Sequence, residues 1–261
     1  NGEVTTVACA THYDFKPIAE VDGSSLRNKE LQESLRQWGM ADTLTVTQVK
    51  FSPAFMPHEE SSFLRQLLAS ATDKMEPQKN SGASVQSVQW EALHCKATSM
   101  DFFDGLIEKG IVSEAGNIRG CFDDVFDGVS VSDKLRELLV NPDSENADVF
   151  SPDEQRELIF HIFKALCVGG AICQPDDRLE DYTGATKTLY KDLVSVRRSQ
   201  STGELEIAAY KVYRVTGING GGGDCAGLWL PPHSPHNVCL VVVDLSKRRA
   251  SVLRKEFVPF W

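Results

Sequence analysis

Five sets of residues could do chemistry by type and spacing. The first is Asn219-Gly220-Gly221-Gly222-Gly223-Asp224. A phosphate loop needs G-x-G-x-x-G, or a Gly-Lys-Ser/Thr ending, ahead of a helix, because backbone N–H groups must converge on the anion. Neither spacing is present, so the run reads as a flexible loop. The second set is His233 and His236 with Cys225 and Cys239. Structural zinc sites draw on closely spaced cysteine knuckles, and none occurs here. The three prolines of Leu230–His236 make that stretch a loop.

Cys167 and Cys173 form no C-x-x-C pair, and Cys167 shares a helix with Ile159, Ile162 and Phe163. Such thiols are usually small core hydrophobes. Asp123, Asp124 and Asp127 could meet a cation, but the calcium-loop pattern with its terminal Glu is missing. Together with Asp176 and Asp177 they read as solvated acidic faces. Arg197-Arg198 and Lys247-Arg248-Arg249 fall at expected hairpin ends, where charge keeps strand edges wet. No G-x-S-x-G nucleophile elbow appears. The residues thus point to no reaction, no metal and no cofactor. The alternative is a small-ligand-binding or enzymatic domain with a dispersed site, beside Gly169-Gly170 or the three aspartates.

Composition bounds what can hold these residues. The chain has 261 residues, 41% apolar and 25% charged, ordinary for a folded soluble protein. Its formal charge is −10. Residues 1–150 hold 13 Lys/Arg against 24 Asp/Glu, and the remainder is nearly balanced. An acidic half argues against nucleic acid, whose phosphates need a basic face. The longest uncharged apolar run is far too short for a membrane helix. The first thirty residues carry no leader pattern, and the opening Asn1 fits a removed leader or tag. Seven cysteines, an odd number, suit reduced thiols in the cytosol.

Periodicity predicts six helices. Asn28 caps the first, which runs to Trp38 and stops at Gly39, with Leu31, Leu35 and Trp38 in one stripe. The others span Glu60–Thr72, Met100–Lys109 (behind Thr98 and Asp101), Asp133–Val140 (behind Ser132), a fifth from Ser151, and Leu179–Tyr190. In the fifth, Ser151 and Glu154 form a capping box, Pro152 takes the first position, and Gly169-Gly170 ends it. Strands are expected at Thr43–Phe51, Val85–Leu93, Asp192–Arg198, Glu204–Val215, Val238–Leu245 and Ala250–Val258. The last four make two hairpins of an antiparallel sheet. The predicted fold is α+β, one domain over residues 1–261, with an acidic helix-rich part (1–150) and a helix-plus-hairpin part (151–261). The helices should pack on one side of the sheet.

Within this frame the stretch Phe163–Gln174 (FKALCVGGAICQ) resembles a signature of the cilia- and flagella-associated protein 300 family. Leu189–Arg198 (LYKDLVSVRR) is similar to a second. Leu35-Arg36-Gln37-Trp38 with Met40, Ser99-Met100 with Phe102-Phe103, and Ser132-Asp133-x-Leu135-Arg136 resemble shorter ones, in the family's order. The resemblance is dense from Phe150 to Arg198 and patchy from Tyr13 to Val215. It implies a non-enzymatic adaptor for assembly of outer and inner axonemal dynein arms, in the cytoplasm and the axoneme of the cilium or flagellum. The implied partners are dynein subunits, dynein-assembly factors and the intraflagellar transport machinery. No catalytic residues come with it. Tyr190, Lys191, Asp192, Arg197 and Arg198 mix an aromatic with both charge signs, which fits packing plus a solvated face and also makes them candidates for contact with a partner. Trp261 is expected to dock on this fold or on a partner.

Overall fold

A computed structural model describes residues 11–18, 25–75, 85–198, 203, 205–207, 210–220 and 234–257. Its centre is a six-stranded antiparallel sheet. The strands are β1 (Asp14–Pro17), β2 (Leu44–Ser52), β3 (Val85–Leu93), β8 (Tyr210–Gly220), β9 (Val238–Asp244) and β10 (Arg249–Lys255). Their order is β1-β2-β10-β9-β8-β3. Two separate ribbons are β4 (Gly120–Phe126) with β5 (Val129–Asp133), and β6 (Val196–Arg198) with β7 (Leu205–Ile207). The helices are α1 (Lys29–Gln37), α2 (Glu60–Met75), α3 (Gly105–Glu108), α4 (Lys134–Val140), α5 (Leu158–Val168) and α6 (Leu179–Leu193).

Strand alternation sends the apolar residues of β9 both ways. Leu240 and Val242 join a core with Leu35, Trp38, Leu135, Phe163, Leu166 and Leu189. Cys239, Val241 and Val243 join another with Phe63, Leu64, Leu67 and Leu68 of α2. Helices therefore cover both faces, and the expectation of a one-sided arrangement is corrected. The nearly continuous apolar run of β9 is the sequence form of a strand buried on both sides.

Local chemistry sets most boundaries. Asn28 Oδ1 accepts from the Glu30 and Leu31 amides at 2.8 and 3.4 Å, capping α1. Asp133, not Ser132, caps α4 by accepting from the Arg136 amide at 2.8 Å. Ser99, rather than Thr98, accepts from the Asp101 amide, and the expected helix there divides into a short 3-10 turn and α3.

The capping box at Ser151 forms, with Glu154 Oε2 accepting from the Ser151 amide at 2.8 Å. It closes only a 3-10 turn. Glu157 is extended, because His94 docks there: its amide donates to Arg156 O and its carbonyl accepts from Leu158 N. α5 starts after that interruption. α6 runs on through Asp192 to Leu193, since Leu189, Tyr190 and Leu193 continue its buried stripe. The strand expected at Asp192–Arg198 is therefore reduced to β6, and β8 pairs with β3 and β9 rather than with it. The β4–β5 ribbon was not expected. Asp127 and Gly128, at φ 48° and 84°, turn it, and Asp-Gly between strands is the sequence signal of such a turn.

Candidate functional site

Of the residues expected to meet a partner, Tyr190 lies in the core. Its hydroxyl donates to Ala97 O at 3.0 Å, and Cys95 Sγ lies 3.5 Å from the Tyr190 hydroxyl oxygen. Of its two readings the structure shows the packing one: the helical stripe that carries Leu189 carries the ring inward. Lys191 and Arg198 are exposed, and Arg198 donates to Gly203 O at 2.9 Å. Asp192 is half-buried, its carbonyl accepting from Gln48 Nε2. Arg197 stands opposite Glu206 in the β6–β7 register. Trp261 lies outside the described residues, as do Cys225, His233 and Gly221–Gly227.

The Gly169-Gly170 pair is a packing device. Gly170 N donates to Trp38 O at 2.8 Å, and Gln174 N to Gln37 O at 2.9 Å. The ends of α1 and α5 thus touch backbone to backbone. A Cβ on Gly170 would fall 2.9 Å from the Gly39 carbonyl carbon and closer still to its oxygen. Gly169, at φ +63°, ends α5. Beside it Trp38 is fully buried, stacks on Tyr182 with centroids 4.7 Å apart, and donates from Nε1 to Asp176 Oδ2 at 2.8 Å. Gln37 donates to the other carboxylate oxygen at 2.7 Å. Asp176 is therefore a structural acceptor, not part of a free acidic face. The stretches Leu35–Met40 and Phe163–Gln174 form one contact, which explains their residue types by packing.

The second feature is a cavity of about 440 Å³ between α5 and one end of the sheet. α5 turns His161, Lys164, Ala165 and Val168 toward it, at i, i+3, i+4 and i+7. Arg214 of β8 and Lys255 of β10 reach it from the sheet, and Ser234–Val238 close another side. Lys255 is odd-numbered like Leu253 and Ser251, so alternation places it on the α5 side. Its exposure is 0%, and its Nζ has no hydrogen-bond partner among the described residues. The ammonium lies 5.4 Å from the centre of the Phe257 ring. Burial pushes it down to about 7.

His161 and His236 are also buried, each with an unpartnered Nε2. Burial first, and the charges of Arg214 and Lys164 next, hold His161 down to about 3. Burial and Lys255 hold His236 down to about 4, against a backbone hydrogen bond at Phe126 and the Asp127 charge. Burial and Arg214 also lower Lys164. These groups are near enough to repel one another. No carboxylate is among the described lining residues. Sequence reading missed this site, although His161 and Lys164 stand out on an otherwise apolar helix.

The fold and the site define a class: an α+β protein with a six-stranded antiparallel sheet between helical layers and a basic cavity at one end. The chain belongs to the cilia- and flagella-associated protein 300 family, whose family model matches residues 12–255. It is 30% identical over 257 residues to cilia- and flagella-associated protein 300 of Chlamydomonas reinhardtii, covering 95% of this chain and 99% of the relative. It is 29% identical over 243 residues to the protein of that name from Paramecium tetraurelia, covering 92% of each. No solved structure matches.

Proposed function

We propose that the chain is a non-enzymatic adaptor in the assembly of outer and inner axonemal dynein arms. It acts in the cytoplasm and reaches the cilium with intraflagellar transport. Family membership supports a ciliary role. The observation that carries the adaptor reading is the β4–β5 ribbon. Phe122 is 97% exposed on it and Val125 53%, beside Asp123 and Asp124. A solvent-facing Phe on this ribbon suits insertion into a partner pocket. The surrounding aspartates suit a basic rim on the partner. The thiols among the described residues also support binding over covalent chemistry: burial pushes Cys95 up to about 11 and Cys239 up to about 12, whereas a nucleophilic cysteine has a lowered pKa.

The test is affinity capture of the tagged chain from the cytosol of ciliating cells, read by mass spectrometry. Dynein arm subunits or their assembly factors are expected with the wild type and depleted with F122S/V125S. Their absence from the wild-type capture contradicts the reading.

A further inference from the structure

The basic cavity is unexplained by packing. Five cationic or ionisable nitrogen groups converge on it in a chain of net charge −10. Three of them, on His161, His236 and Lys255, are buried with a polar atom unsatisfied among the described residues. A buried ammonium without a hydrogen-bond acceptor is costly, and each unpaired imidazole nitrogen adds to that cost. A hydrophobic residue of Lys255's volume would fill the same place without penalty. Among the described residues the opposing charges lie outside the lining: Glu91 pairs with Arg214 at 2.9 Å, and Asp127 acts on His236. Cys173 acts on Lys255, and Arg136, which acts on Cys173, donates from Nε to Cys167 O at 3.0 Å.

We infer that this cavity binds a phosphate-bearing small molecule, held by Lys255, Lys164, His161 and His236. A single carboxylate carries one charge and is satisfied by one cation. A phosphate group carries up to two and presents oxygens in several directions, matching nitrogens that arrive from α5, β10 and the Ser234–Val238 segment. Thr216, Asn219, Ser234 and Asn237 line the wall. The volume exceeds that of one phosphate and falls in the range of small-molecule sites. Ala165, Val168, Val215 and Ile218 give the uncharged part of the ligand an apolar wall. The binding does not depend on the adaptor reading, because it uses neither the β4–β5 ribbon's exposed face nor any partner.

The test is isothermal titration of the full chain with pyrophosphate, adenosine triphosphate and adenosine, at neutral pH and matched ionic strength. The variants are Lys255→Met and Lys164→Gln. Saturable binding of pyrophosphate or the triphosphate is expected, with Kd below about 1 mM and weakened about tenfold or more in both variants. Ligand-free K255M is expected to melt at or above the wild-type temperature, because an unsatisfied buried amine is gone. If K255M fails to fold, K164Q, at a half-buried position, decides alone. A tighter triphosphate assigns the apolar wall to a base, and a tighter pyrophosphate assigns the affinity to the phosphates alone. No saturable binding of either, binding undiminished by the variants, or adenosine binding as well as its triphosphate would overturn the inference.

Discussion

Replacing Gly170 by alanine should be among the most damaging single-methyl changes in this chain. The new Cβ would lie 2.9 Å from the Gly39 carbonyl carbon and closer to its oxygen. Both neighbours are backbone, so no side chain can swing away. The ends of α1 and α5 must part by on the order of 1 Å, as an overpacked contact does. Two backbone hydrogen bonds span this contact, Gly170 N to Trp38 O and Gln174 N to Gln37 O. Weakening both costs roughly 1–2 kcal/mol. Overpacking strain adds about 1–3 kcal/mol. The expected loss is about 2–5 kcal/mol, which lowers Tm by on the order of 10 °C in a chain of this size.

Two alanine controls separate space from conformation. Gly110, at φ +71°, has nothing within 4 Å of its would-be Cβ, so G110A should lose only about 1 kcal/mol to the left-handed backbone. Gly184 is exposed inside α6 with open space around it, so G184A should gain about 0.5–1 kcal/mol. Urea unfolding followed by circular dichroism gives the order G184A, wild type, G110A, G170A. A G170A loss no larger than the G110A loss would refute the close-contact reasoning.

Other changes have comparably definite outcomes. W38F removes the donor to Asp176 and leaves a void beside Tyr182 where the larger indole was fully buried, and should cost about 2–4 kcal/mol by the same unfolding assay. Y190F leaves the Ala97 carbonyl without its donor and should cost a similar amount, about 1–2 kcal/mol, while leaving partner capture unchanged. His161 and His236 sit near 3 and 4 when folded, against 6.5 when free. The unfolded chain therefore binds more protons below pH 6.5, and their contribution is complete above that pH and lost as pH falls through about 4 for His236 and about 3 for His161. H161Q should flatten the wild-type stability slope between pH 6.5 and 4 by up to about 1.4 kcal/mol per pH unit, read from urea midpoints. Cys167 and Cys239 are fully buried, so native alkylation followed by peptide mass spectrometry should leave both unmodified while Cys121 reacts.

The α+β fold was legible because its signals are local. Asn28 names the start of α1, and alternation in Val85–Leu93 matches β3 at both ends. The interruption at Glu157 was not, since its cause is His94, far away in sequence. The two-sided helical cover was readable in principle from the apolar run Val238–Val243, which has no wet face. The cavity was hidden for a different reason. Arg254-Lys255-Glu256 reads as a solvated cluster, and only strand register puts Lys255 on the inner side with Leu253. Tyr190 misled because an aromatic beside charges looks like a contact patch, whereas α6 continues to Leu193 and carries the ring into the core.

The assembly role is tested most directly in ciliated cells lacking this protein, by electron tomography of axonemes after re-expression of the wild type or of F122S/V125S. The prediction is that cells without the protein keep their microtubule doublets but lose outer and inner dynein arms, that the wild type restores them, and that the ribbon variant does not. Axonemes with a full complement of arms in the absence of the protein would contradict the assembly role.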